Sequence, residues 1–105
     1  MNIWHKVENL RGKTLETLTR KKGFQVLNIT DEWLVMKSIS RGFRIFISRY
    51  AIENAFIHLA SSGEISRVEI QYHHSELNSS YLAAILAAIP GVRYELKPIR
   101  LFYDI

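Results

Sequence analysis

The 105-residue sequence contains no cysteine. A disulfide framework, a cysteine-ligated zinc site and a thiol nucleophile are therefore excluded. No apolar run approaches the roughly 18 residues that a membrane span requires. The N-terminal residues also lack the charged and then apolar layout of a signal peptide. These absences predict a cytoplasmic protein that is neither exported nor inserted in a membrane.

Catalytic and metal-binding patterns are missing as well. The five glycines are isolated, so no phosphate-cradling loop is present. His73 and His74 would project about 100° apart on a helix, which does not suit one ion, and the pattern predicts a polar turn between helices. His5 and His58 have no fixed spacing to them. Neither a nucleophile elbow nor a suitably spaced carboxylate pair occurs. We expect a non-enzyme without cofactor or metal.

The overall composition suits one compact domain over residues 1–105. The chain is 48% hydrophobic and 23% charged, and a domain of about this length can bury a sufficient core and fold alone. Within it we distinguish residues 1–48, a short helix followed by a β-meander, from residues 49–105, which are helical and end in a hairpin.

Positive charge is concentrated in the first half of the chain. Residues 1–49 contain ten Lys and Arg against four Asp and Glu, whereas residues 50–105 contain four against six. This asymmetry indicates an anionic partner, and nucleic acid before membrane, because no basic amphipathic helix accompanies the charge. The alternative is that these cations only keep the surface soluble.

The first half predicts a helix and four strands. Ile3, Val7 and Leu10 have helical spacing over residues 3–10. The strands that follow are Lys13–Thr19, Phe24–Thr30, Trp33–Ser38 and Phe43–Ser48. Tight turns would place one aliphatic set on the core face: Leu27, Ile29, Leu34, Met36, Phe43, Ile45 and Ile47. The opposite face would then carry Phe24, Val26, Asn28, Trp33, Val35, Lys37, Arg44 and Phe46.

That second face is unusually aromatic and basic for a surface in water. Cations can bind phosphates, and exposed aromatic rings can stack on bases. The predicted nucleic-acid-binding residues are Arg20, Lys21, Lys22, Trp33, Lys37, Arg41, Arg44 and Phe46. Alternatively, the N-terminal helix or the final hairpin covers the aromatic rings.

The second half predicts three helices. The first starts at Ser48 and ends before Gly63. A capping box at Ser66–Glu69 starts the second, in which Val68 and Tyr72 share a face with Ile70 beside them. The third runs over Asn78–Ile89. Two extended segments close the chain, Val92–Leu96 and Ile99–Tyr103, as a hairpin or one bent strand.

The order of elements in residues 49–105, with the run Gly63–Ile70, resembles the winged-helix and helix-turn-helix domains, the hairpin at Lys97-Pro98 being the wing. We therefore expect an α+β fold: a four-stranded antiparallel meander, a three-helix winged-helix-like segment and a C-terminal hairpin. In that family the second helix of the pair enters the major groove with its N-terminal side chains. The resemblance assigns this role to Asn78, Ser79, Ser80 and Tyr81.

The third helix lacks the charge that such a role requires. No Lys or Arg lies between Ser75 and Val92, and phosphate contacts supply most of the sequence-independent affinity for DNA. Its second face is formed by alanines: Ala83, Ala84, Ala87 and Ala88. We expect a non-catalytic nucleic-acid-binding protein, with DNA before RNA as its ligand. The alternative is a small regulatory or protein-interaction module that dimerises or docks through the alanine face.

Overall fold

The computed structural model describes residues 3–104. Its elements in chain order are α1 (Ile3–Glu8), β1 (Thr14–Glu16), β2 (Gly23–Ile29), β3 (Trp33–Ser38), β4 (Arg44–Ser48), α2 (Arg49–Ser62), β5 (Glu64–Ser66), α3 (Arg67–His73), α4 (Ser79–Ala87), β6 (Val92–Glu95) and β7 (Arg100–Tyr103). The predicted α+β class, four-stranded antiparallel sheet and C-terminal hairpin are confirmed.

The first four strands form a meander. They pair in the order β1-β2-β3-β4, and every neighbouring pair is antiparallel. Strand β1 is shorter than predicted because the chain leaves the ladder at Thr17. There the Thr17 carbonyl accepts a 3.1 Å hydrogen bond from the Lys21 N–H, and the Thr17 hydroxyl accepts one of 3.0 Å from the Lys22 N–H. A closed turn over residues 17–22 follows.

The predicted faces of β3 and β4 are confirmed. All four aliphatic side chains of the core face are buried: Leu34, Met36, Ile45 and Ile47. On the opposite face Trp33 and Phe46 are 44% and 53% exposed. The four-stranded sheet therefore has one buried and one open face along these two strands, as alternation with a period of two requires.

The predicted face of β2 is wrong in its first half. Phe24 and Val26 are fully buried, although the alternation places them on the open face. A register shift between Val26 and Asn28 explains the difference, because Leu27 is the extra residue of a β-bulge. The strand residues before the bulge therefore lie on the face opposite to the one that uninterrupted alternation predicts. Phe43 also differs from prediction, since it lies in the turn before β4 and is exposed.

The second sheet contains three antiparallel strands in the order β5-β7-β6. Residues 92–103 form a hairpin of β6 and β7 rather than one bent strand. Glu64-Ile65, which we expect to be only an extended link, belongs to β5 and pairs with β7. This pairing fixes the start of α3 against the hairpin, and the Arg67 N–H also donates to the Ile99 carbonyl at 3.1 Å.

The helix termini follow the capping pattern of the sequence. The Ser66 hydroxyl accepts a 3.1 Å hydrogen bond from the Glu69 N–H, and the Glu69 carboxylate accepts one of 3.0 Å from the Ser66 N–H. Of the apolar residues predicted on α3, Ile70 is buried, whereas Val68 and Tyr72, which share a face, are exposed. This two-turn helix inserts one side chain into the core and leaves its flanks in solvent.

Both halves of the chain contribute to one hydrophobic cluster. Its buried residues come from helices α1 to α4, the core face of the four-stranded sheet, and strands β5 and β7 of the second sheet. The open face of the four-stranded sheet lies outside this cluster. Within residues 3–104, no helix is long and apolar enough to cross a membrane.

Candidate nucleic-acid interface

The meander brings the two basic turns to the same end of the four-stranded sheet. The turn before β2 and the turn after β3 are adjacent, because the Ile39 N–H donates a 3.1 Å hydrogen bond to the Gly23 carbonyl. Two strand spacings, or about 10 Å, separate the turn centres. The side chains at this basic end are all exposed: Arg20, Lys21, Lys22, Lys37, Arg41 and Arg44.

The basic end has no acidic partners in the described range of the chain. Among residues 3–104, the ion pairs of Lys and Arg are Arg49 with Glu53, Arg93 with Asp104, and Arg100 with Glu64. None of them involves a cation of the basic end. Since the turn spacing is close to the Debye length of about 8–10 Å, the fields of the two turns add in physiological salt.

The open face of β3 and β4 continues from the basic end into an aromatic pair. Lys37 lies opposite Arg44, Val35 opposite Phe46, and Trp33 opposite Ser48. The Trp33 and Phe46 rings meet edge to face with centroids 6.4 Å apart. Four residues of strand place Trp33 about 13 Å from Lys37. A basic and an aromatic section thus share one exposed surface, and the alternative in which another element covers these rings is wrong.

Three of the four residues at the start of α4 contact other parts of the domain. Ser79 is buried, and its hydroxyl accepts a hydrogen bond from Arg67 Nη1 at 3.4 Å. The Asn78 side-chain amide donates to the Phe46 carbonyl at 3.5 Å. Tyr81 is half-buried and meets Phe24 edge to face, with centroids 5.3 Å apart. Only Ser80 of the four predicted contact residues is exposed.

The alanine face of α4 is also inside the domain. Ala83 and Ala84 are buried, and Ala87 and Ala88 are half-buried and pack against the core cluster. The helix contacts α2, α3, β1, β6 and β7, so small side chains are needed on two sides of it. These alanines therefore pack within the domain, and docking or dimerisation through this face stays a prediction.

A second group of polar residues, missed in the sequence, joins α2 to the end of α3. His58 Nδ1 lies 3.0 Å from His74 Nε2, and His58 Nε2 lies 3.5 Å from a Glu69 carboxylate oxygen. The His73 ring is next to both imidazoles, with centroids 6.2 and 6.3 Å away. The carboxylate favours a proton on His58 Nε2, which makes Nδ1 the acceptor and His74 the donor.

The environment of this histidine cluster (His58, His73 and His74) shifts two pKa values. Burial lowers the pKa of His74, and repulsion from His58 and His73 adds to the effect. The Ser66 N–H that donates to Glu69 lowers the pKa of that carboxyl group. In the described part of the chain, no group of three or more histidines and carboxylates has a placement that would hold a metal ion. The contacts of His58 with His74 and Glu69 join α2 to α3 and its C-terminal end.

Comparisons of the chain with protein-family models, with curated proteins and with solved structures find no match.

Proposed function

We propose that this protein is a non-catalytic nucleic-acid-binding protein that uses the basic end and the open aromatic face of its four-stranded sheet. The observation that carries the proposal is the continuity of these two sections on one exposed surface, where no cation has a carboxylate partner among residues 3–104. Phosphates would lie on Lys37, Arg41 and Arg44, with the first turn supplying further cations.

The aromatic pair favours a single-stranded ligand. Trp33 and Phe46 are exposed side by side on a sheet, and single-strand binders combine such rings with a positively charged track for the backbone. Stacking of one base on an aromatic side chain contributes about 1–3 kcal/mol. DNA is the proposed ligand, and RNA of the same sequence is the comparison.

We further propose that residues 49–104 form a winged-helix-type segment whose role is architectural. The order of α2, β5, α3, α4 and the β6–β7 hairpin supports this, as does the strand order β5-β7-β6. The contacts at the start of α4 argue against use of this helix for reading a groove, because Asn78, Ser79 and Tyr81 are already in contact with other parts of the domain.

Tryptophan fluorescence offers a direct test of the proposed surface. Trp33 is 44% exposed while Trp4 is 3% exposed, so a stacking base should quench Trp33 and leave Trp4 unaffected. Titration with single-stranded DNA at low salt should give saturable quenching that disappears in Trp33→Phe. Duplex DNA and single-stranded RNA are titrated in parallel to rank the ligands.

The charge requirement is tested with the basic-end variant, Lys37→Gln, Arg41→Gln and Arg44→Gln combined. All three side chains are exposed, so the fold should tolerate the change. This variant should bind single-stranded DNA at least about tenfold more weakly, because several charge-assisted phosphate contacts are lost. Absence of binding by the wild-type protein at low salt would refute the proposed function.

A further inference from the structure

A cleft of about 470 Å³ lies between the turn over residues 17–22 and the helix pair. Its lining combines that turn with Arg67 at the start of α3, Ser80 and Tyr81 in the first turn of α4, and Ile99 before β7. The volume falls within the range of about 300–1,000 Å³ that is typical of small-molecule sites. The cleft is thus large enough for a small ligand and is formed by three separate parts of the chain.

The charge of the cleft is positive. Among the described residues, Arg20, Lys22 and Arg67 line it, and no aspartate or glutamate does. Three cations grouped in this way attract an anion with more than one negative charge.

Arg67 is held in position by neutral groups. Its Nη1 donates to Gln71 Oε1 at 3.1 Å and to the Ser79 hydroxyl at 3.4 Å. Within residues 3–104, Nη2 and Nε have no protein acceptor, and the guanidinium has no carboxylate partner. Two contacts with neutral groups therefore orient the side chain, while its charge and the three N–H donors on Nη2 and Nε stay available. That arrangement suits bidentate binding of phosphate.

The other walls of the cleft are partly apolar. Leu18, Tyr81 and Ile99 line it together with the hydroxyl groups of Thr19 and Ser80. The Tyr81 ring is fixed by its edge-to-face contact with Phe24 at 5.3 Å. A ligand held here can therefore place an organic body on a rigid apolar wall while its anionic group meets the cations.

We propose that this cleft binds a phosphate monoester carried by a compact organic group, of the size of a mononucleotide. The phosphate binds to Arg20, Lys22 and Arg67, and the organic group packs on Leu18, Tyr81 and Ile99. A monoester carries about −1.5 to −2 charge at neutral pH, which matches three cations better than a single carboxylate does. Free mononucleotides and the 5′-phosphate end of a strand both present this chemistry.

Adenosine 5′-monophosphate is the probe, with adenosine as the control that lacks phosphate. In amide NMR spectra of the intact protein, the monophosphate should shift signals around the cleft saturably, and adenosine should not. Arg67→Gln should weaken this binding at least about tenfold, because a charge-assisted bidentate contact is lost. Lys13→Gln, which removes an exposed cation outside the cleft, should leave the affinity unchanged.

A second variant separates loss of the site from loss of the fold. Arg67 also ties α3 to α4 through Ser79, whereas Lys22 lies on an exposed turn, and Lys22→Gln should weaken the monophosphate without affecting stability. Three outcomes would overturn the proposal. Adenosine could bind as tightly as the monophosphate, Lys13→Gln could weaken binding as much as Arg67→Gln, or about millimolar monophosphate could cause no saturable shift.

Two further arms separate this proposal from the proposed function and identify the source of the phosphate. The inference does not rest on nucleic-acid binding by the open sheet face, although Arg20 and Lys22 belong to the basic end as well as to the cleft. The basic-end variant keeps both residues and should bind the monophosphate normally. Short DNA with and without a 5′-phosphate is compared in wild type and in Arg67→Gln. If Arg67→Gln lowers the affinity for the phosphorylated strand more than for the unphosphorylated one, the site binds the 5′-phosphate ends of strands. If it changes both affinities equally, the site binds free mononucleotides.

Discussion

The salt dependence of DNA binding gives the sharpest quantitative test of the basic end. Binding releases counterions from the phosphates, so the logarithm of the association constant falls linearly with the logarithm of the salt concentration. The slope is about −0.7 for each neutralised phosphate of a single strand. The structure supplies six exposed cations at the basic end, none of them paired with a carboxylate among residues 3–104.

Six contacts predict a slope of about −4, and hence an affinity loss of about 300-fold between 50 and 200 mM salt. The basic-end variant retains the three cations of the first turn, so its slope should be about −2 and its loss about 20-fold. The assay is quenching of Trp33 by single-stranded DNA at several salt concentrations. Trp33 itself should contribute affinity without changing the slope, because stacking releases no counterions.

A control variant with the same net charge as the basic-end variant distinguishes the effect of local contacts from that of the overall charge of the protein. Lys6→Gln, Lys13→Gln and Lys97→Gln combined also remove three positive charges, but none of these residues belongs to the basic end. Its slope should stay close to about −4. If the control and the basic-end variant lower the slope equally, the ligand responds to net charge alone, and the reasoning from the two adjacent turns is wrong.

Three further predictions concern stability, each measured by urea or thermal unfolding. Because the pKa of His74 is lowered in the folded state, the unfolded chain takes up the proton first as the pH falls below about 6.5, and the free energy of unfolding should decline in that range. His74→Gln should reduce this decline. The control substitution His5→Gln, at an exposed position, should not reduce it. Ser66→Ala removes one of the two capping-box bonds and should cost about 1 kcal/mol, and no measurable change would contradict the importance of this cap. Ala84→Glu should cost about 3–5 kcal/mol because it places an unpaired charge in the core, whereas Leu77→Glu at a 91% exposed position should have little effect. A stable Ala84→Glu monomer would contradict the observed packing of α4.

The sequence predicts most of the sheet because alternation is a local property. On β3 and β4 each buried residue of the core face from Leu34 to Met36 and from Ile45 to Ile47 is followed by a residue of the open face, so both sets of positions can be read directly from the alternation. On β2 the same rule fails at Leu27, because a bulge depends on how two strands pair. One local sign is present: the Asn28 side chain accepts a 2.9 Å hydrogen bond from the Ile29 N–H, and asparagine often forms such bonds where the ladder is interrupted.

The helices show a similar limit. The capping box at Ser66 and the end of α2 at Gly63 depend on bonds within a few residues, and the sequence identifies both. Which side of a two-turn helix is buried depends on its neighbours, so the sequence pattern places Val68 and Tyr72 on one face but does not show that this face is exposed and that Ile70 is buried. The alanines of α4 indicate close packing, but residue size cannot distinguish packing within the domain from packing between two copies.

The two candidate sites also differ in how far each can be recognised from the sequence. The cations of the basic end occur in two short stretches of sequence, so their number and charge can be read along the chain, and the meander places them together. Arg67 is a lone cation in an acidic half of the chain, 45 residues from Lys22, and nothing local marks it. Arg67 lies in the cleft because β5 pairs with β7 and α4 packs beside β1, and these contacts bring the start of α3 close to the first basic turn. Charge counting along a chain therefore finds surfaces that are formed by neighbours in sequence, and it misses a cleft whose cations converge through tertiary structure.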